Sequence, residues 1–164
     1  MQHLKHLLKR HISHNLRPIS KSLIIFLIVV AAIGFADATY LTIEHFTNAN
    51  PPCFIGSCEL VLNSTYATVA GIPVAIFGVV YYLFILMAFV VYLESKKEKE
   101  LALRVGCLST VIGLGSSLYF FILQAFVLHA FCQYCLVSAG TSTILFVTAS
   151  YIIVTSRKHQ PVLM

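Results

Sequence analysis

The sequence predicts an all-α integral membrane protein: a bundle of four transmembrane helices with both termini cytoplasmic. Three observations carry that prediction. The chain is 59% hydrophobic and only 10% charged, where soluble domains carry about 25% charged residues. Four apolar runs are each long enough to cross about 30 Å of hydrocarbon at about 1.5 Å per residue. The 11 lysines and arginines are gathered into three short segments that fall on one face once the runs cross a bilayer. One domain, residues 1–164, is the expectation at this length. The formal net charge of +5 does not point to nucleic acid, because the charges flank apolar runs instead of lining a surface.

A basic leader opens the chain, with Lys5, Lys9, Arg10, Arg17 and Lys21 among His3, His6, His11 and His14. It reads as a tail that touches acidic lipid headgroups. Its histidines lack the i, i+4 pairing beside a carboxylate that marks a helical metal site. The first helix is expected over residues 23–43. Ala36-Asp37-Ala38 has the form of a signal-peptidase site, but the apolar pattern runs on through Tyr40, Leu41 and Ile43, so the helix is expected to be retained. Asp37 is an ionisable group at membrane depth, which makes it a functional candidate.

Residues 44–70 form the one sizeable polar segment, with Pro51, Pro52, Cys53, Gly56 and Cys58. The second helix is expected over 71–93, with Pro73 in its first turn, where a missing N–H costs nothing. A charged hinge with Lys96, Lys97 and Lys99 leads to the third helix, 105–127. Gly113, Gly115, Ser116 and Ser117 in its middle suit close helix packing in lipid. A short turn with His129 leads to the fourth helix, 132–155, followed by Arg157 and Lys158. The leader holds five positive charges, the hinge region four with Arg104, and the tail two. Residues 44–70 and 128–131 hold none. The positive-inside rule therefore puts both cysteine pairs on the outer side.

Cys132-Gln133-Tyr134-Cys135 is a Cys-x-x-Cys pair, either a dithiol redox centre or half of a metal site. Cys132 falls at the start of a helix, where unpaired N–H groups and the dipole stabilise an anion. That setting lowers a thiol's pKa, and the thiolate is the species that attacks disulfides. Cys53 and Cys58 are spaced closely enough in an outer loop to form a disulfide. Two pairs on one face suggest a relay. A mobile loop pair receives two electrons from a soluble thiol protein and passes them, through mixed disulfides, to a fixed pair at the membrane boundary. Phe126, Phe131 and Tyr134 surround that pair with aromatic rings suited to a lipid-soluble acceptor such as a quinone. Two other readings stay open: a membrane protein with structural disulfides, and a four-cysteine metal site. Cys107, on the opposite side, reads as a packing residue.

At these residues the chain resembles the vitamin K epoxide reductase (VKOR) family, in its bacterial branch. The resemblance rests on Cys53 and Cys58, on Val61-Leu62-Asn63-Ser64-Thr65-Tyr66-Ala67, on Gly71-Ile72-Pro73-Val74-Ala75-Ile76-Phe77-Gly78, and on Cys132-Gln133-Tyr134-Cys135-Leu136, in that order. Tyr40-Leu41-Thr42 adds to it. It implies a four-helix bundle around a quinone (ubiquinone or menaquinone) in the bacterial inner membrane, active on the periplasmic or outer face. It implies that Cys132 exchanges with a loop cysteine and that Cys135 lies nearest the quinone. Cys58 is then expected to meet the soluble partner and Cys53 to relay inward. Ser64 stands where members carry a hydroxyl needed for activity, and Leu62, Phe77 and Tyr81 match positions that line the quinone pocket. Tyr134 is expected beside them.

Animal members have Asn where Val74 stands and Tyr where Ala139 stands, which argues against epoxide reduction as the physiological task. Many bacterial members carry a fused thioredoxin-like domain. This chain ends at Met164, so the expected thiol partner is a separate DsbA-like periplasmic protein. The DsbB family has the same topology and task, but there the order of the two cysteine pairs is reversed.

Overall fold

The computed structural model describes residues 21–47, 51–94 and 99–157. The basic leader, the hinge lysines Lys96 and Lys97 and the tail beyond Arg157 lie outside the described residues. The elements run α1 (Lys21–Thr47), α2 (Cys58–Leu62), a 3₁₀ turn (Thr65–Ala67), β1 (Thr68–Val69), β2 (Ile72–Pro73), α3 (Val74–Glu94), α4 (Lys99–Ile122), a π turn (Leu123–Val127) and α5 (Gln133–Arg157).

Four of these helices are long and apolar enough to cross a membrane, as the apolar runs predict. Helix α1 packs on α3 and α5, and α4 packs on the same two, so the bundle is a ring in the order α1, α3, α4, α5. Burial within each helix follows its period. On α1 the buried positions are Ile24, Leu27, Val30, Ala31, Gly34, Ala38 and Leu41, a single stripe at spacings of three and four. The opposite stripe, with Ile25, Phe26, Val29 and Ile33, is exposed and equally apolar. A helix in water would be polar there; an outward apolar face suits lipid.

The tight core lies at the end of the bundle away from the cysteines, where Ile24, Leu27, Ile85, Phe89, Leu145 and Ile152 pack together. Nearer the middle, glycines make room for two tyrosines. The Tyr82 ring fills the space where Gly34 would otherwise carry a Cβ, and Tyr81 does the same against Gly113. The Tyr82 hydroxyl lies 2.9 Å from the Ser138 carbonyl oxygen, 2.7 Å from Thr141 Oγ1 and 3.0 Å from Ser142 Oγ. A polar group at this depth needs such partners because lipid offers none, and these tie α3 to α5.

The structure moves several expected boundaries. Helix α1 extends beyond 23–43 at both ends. The second long helix starts at Val74 and not at 71, because residues 68–73 form a small antiparallel hairpin. Its two central residues, Ala70 and Gly71, have φ of 52° and 80°, the positive values a two-residue hairpin turn requires. Pro73 therefore ends β2, just before the helix it was expected to enter. Helix α4 begins at Lys99, so part of the charged hinge is helical.

Candidate thiol–disulfide site

The two cysteine pairs meet at one end of the bundle, where the loop after α1 lies across the start of α5. Cys53 and Cys58 form a disulfide with Cα atoms 5.9 Å apart. Cys132 and Cys135 are free thiols. Cys58 (1% exposed) and Cys132 (0%) share a buried cluster with Val61 and Ala130, against which Cys53, Leu62, Tyr134 and Cys135 pack.

Backbone pairing sets this meeting. Gly56 forms an antiparallel bridge with Cys132, and the Ser57 N–H donates to the Phe131 carbonyl at 2.9 Å. Gly56 has φ of 87°, and a Cβ there would collide with the Phe131 carbonyl. The residue must be glycine for the loop to approach this closely. The two residues between Cys132 and Cys135 complete the clamp. Gln133 Oε1 accepts from the N–H groups of Phe54 (3.1 Å) and Ile55 (3.3 Å), while its Nε2 donates to the Pro52 carbonyl at 3.1 Å. The Tyr134 hydroxyl donates to the same carbonyl at 3.0 Å, and its ring lies against Tyr40 with centroids 5.3 Å apart. The loop expected to be mobile is thus pinned in this state.

Cys132 precedes the first residue of α5, the capping position, and the free N–H groups of Tyr134 and Cys135 turn toward its sulfur. The thiol is pulled from the ordinary value down to about 6, first by the hydrogen bond from the Cys135 side chain and then, against burial, by those N–H groups. Its own N–H donates to Gln124 Oε1 at 2.9 Å. Gln124 is 2% exposed and lies in the π turn after α4. The turn's wider winding carries the chain through His129 (φ 48°) back to Cys132.

Below this junction lies a cavity of about 1040 Å³, whose lining includes Leu62, Ser64, Phe77, Tyr81 and Cys135. Three of the four expected pocket residues, Leu62, Phe77 and Tyr81, are therefore on its wall. Tyr134 is not among the lining residues; one residue away from Cys135 on a helix, it turns outward to hold the loop. Ser64 faces the cavity while its hydroxyl donates to the Val61 carbonyl at 2.7 Å. It closes the short helix that carries Cys58.

Burial distinguishes the two loop cysteines. Cys58 is the sulfur packed with Cys132, whereas Cys53 is partly exposed. Asp37 also lines the cavity, and its Oδ2 is buried with no hydrogen-bond partner, as is the Tyr81 hydroxyl, which lies near Ser142 but outside hydrogen-bonding geometry. Cys107 is buried in the apolar core beside α3, the packing role its position suggests. The clamp residue Gln133 and the brace Gln124 were missed in the sequence. Both are glutamines in otherwise apolar surroundings, which was the available signal.

The family model for the vitamin K epoxide reductase family matches residues 25–150, a span that contains both cysteine pairs. The chain is also 34% identical over 119 residues to the thiol-disulfide oxidoreductase LTO1 of Arabidopsis thaliana, covering 67% of this chain and 31% of that protein. It thus spans about a third of that relative's length. With both cysteine pairs at one end of a four-helix apolar bundle, and a family match over most of its length, the chain belongs to the vitamin K epoxide reductase family.

Proposed function

We propose that the protein is a membrane thiol:quinone oxidoreductase that reoxidises a DsbA-like partner and so supports disulfide formation in exported proteins. The observation that carries this reading is the line of sulfurs: partly exposed Cys53, buried Cys58, buried Cys132, then Cys135 on the cavity wall. Electrons entering at one end of that line leave at the other.

The cavity suits a quinone. Apolar side chains such as Leu62, Phe77 and Leu136 form much of its wall, and two unpartnered polar groups, Asp37 Oδ2 and the Tyr81 hydroxyl, can meet carbonyl oxygens. Such walls with a few polar anchors are usual for cofactor pockets. A bound quinone supplies a two-electron, two-proton acceptor within the bilayer.

The residues act in sequence. A partner thiolate attacks Cys53 and displaces Cys58. Cys58 attacks Cys132 of the oxidised inner pair and displaces Cys135. The partner's second thiol frees Cys53, which attacks the Cys58–Cys132 bond and restores the loop disulfide. The inner pair is left as a dithiol, the state seen here. Each exchange keeps the number of S–S bonds constant.

Among the described residues, Lys21, Lys99, Arg104 and Arg157 all lie on the segments at the bundle end away from the cysteines. The positive-inside rule then supports cysteines facing the periplasm or exterior of a bacterial inner membrane. A zinc site is disfavoured because two of its four ligands are joined in the loop disulfide.

The test is quinone reduction in liposomes driven by a reduced DsbA-like protein. Wild type should reduce quinone, and Cys135→Ala and Cys58→Ala should not. Cys53→Ala should accumulate a Cys58–Cys132 disulfide. Absence of quinone-dependent thiol oxidation by the wild type would sink the reading.

A further inference from the structure

The inner pair is short of a proton. Cys132 sits at the N-terminal cap of α5 with the Tyr134 and Cys135 N–H groups turned to its sulfur, an arrangement that favours the thiolate, so the reduced pair carries one proton, on Cys135. Quinone reduction to quinol takes two electrons and two protons. The second proton needs a donor that reaches the same cavity.

Two groups are candidates, because both line the cavity and hold a buried polar atom with no partner: Asp37 and Tyr81. Buried polar atoms in native proteins are nearly always paired, so an orphan calls for an explanation. A carboxyl is a far stronger acid than a phenol, with ordinary values of about 4 and about 10. Asp37 also lies within electrostatic reach of both Cys132 and Cys135. An ionised oxygen left unpaired at this depth is costly, so a proton satisfies it between turnovers. On the same helix, Glu44 and His45 also line the cavity, about two turns nearer the loop, and His45 is exposed. They mark a route by which the proton is replaced.

We propose that Asp37 is the second proton donor of the quinone-reduction step, with Tyr81 holding the acceptor by a hydrogen bond. This rests on the thiol:quinone reading above. The step balances. The Cys132 thiolate closes on the Cys135 sulfur and forms the S–S bond; two electrons pass to the quinone with the Cys135 proton and the Asp37 proton. The products are the inner disulfide, quinol and the Asp37 carboxylate. The next oxidation of a partner dithiol releases two protons, one retained on Cys135 and one that restores Asp37.

The experiment compares wild type, Asp37→Asn and Asp37→Glu as full-length protein in liposomes, with three readouts. The first is single-turnover quinol formation from the pre-reduced protein. Asp37→Asn should be slower by at least about 100-fold, the low end for general acid catalysis, and Asp37→Glu should recover part of the rate. The second is exchange between the loop disulfide and inner pair without quinone, followed by thiol alkylation. It should be slowed far less than quinol formation in Asp37→Asn, with the inner pair accumulating as dithiol at steady state. The third is redox-difference infrared spectroscopy without quinone. Wild type should show a protonated-carboxyl C=O band, shifted in D₂O and absent in Asp37→Asn. If Asp37→Asn forms quinol at the wild-type rate, or loses loop exchange in equal measure, or leaves the carboxyl band in place, the assignment of Asp37 is wrong. If wild type itself forms no quinol, the thiol:quinone reading fails instead.

Discussion

Cys132 shows how a single side chain acquires its chemistry from position. The Cys135 side chain and two helix-end N–H groups stabilise its charged form, and burial opposes them without winning. The stabilisation belongs to the thiolate. It is fully present above the ordinary value of 9 and lost as pH falls through about 6. Ultraviolet thiolate absorbance of the reduced protein should therefore titrate with a midpoint near pH 6, absent in Cys132→Ser. In Cys135→Ala, which lacks the strongest donor, the midpoint should rise by a unit or more; an unmoved midpoint would contradict the assigned cause. The two cysteine pairs were legible in the sequence because the Cys-x-x-Cys spacing and the outer loop declare them. Which loop sulfur faces inward was not, because it depends on how Gly56 turns the loop onto Cys132. Tyr134 lies off the cavity wall for a related reason. Composition shows an aromatic ring near the site but not its direction.

At the scale of elements, the four long helices follow from their apolar runs, and all four differ from expectation only at their ends. Those ends are where backbone pairing, and not hydrophobicity, decides. The hairpin of β1 and β2 delays α3, and the π turn after α4 lies inside a run that reads as uniform helix. The loop's attachment gives a sharp test. Gly56→Ala meets both a collision with the Phe131 carbonyl and an unfavourable φ, a backbone strain of about 1–3 kcal/mol before any clash. Partner-driven thiol oxidation should fall at least about tenfold, while oxidation of dithiothreitol, which is small enough to reach the inner pair without the loop, falls less. Gly71→Asn, at a turn where Asn accepts positive φ and a Cβ meets nothing within 4 Å, should retain activity. Equal activity of Gly56→Ala and wild type would show that the loop does not need this contact.

On the scale of the whole molecule, the distribution of charge supports one orientation, and the proposed relay depends on it. Glu59 is exposed beside Cys58 at the cysteine end, while Glu94 is exposed at the opposite end of the bundle. In intact bacterial cells, a membrane-impermeant maleimide should label Glu59→Cys at once and Glu94→Cys only after permeabilisation. The reverse pattern would place the relay in the cytoplasm, where thiols are kept reduced, and end its role in export. The π turn at Leu123–Val127 carries a further consequence, one for how this chain can change length. An α-helix advances about 100° per residue, and the turn absorbs one extra residue without stopping the helix. Deleting a single residue between Gln124 and Cys132 would shorten the return from the π turn and draw the Cys132 N–H away from Gln124 Oε1. Surface loops can lengthen at little entropic cost, but the interval from Gln124 to Cys132 is tied at both ends, by the π turn and by the hydrogen bond from the Cys132 N–H to Gln124 Oε1.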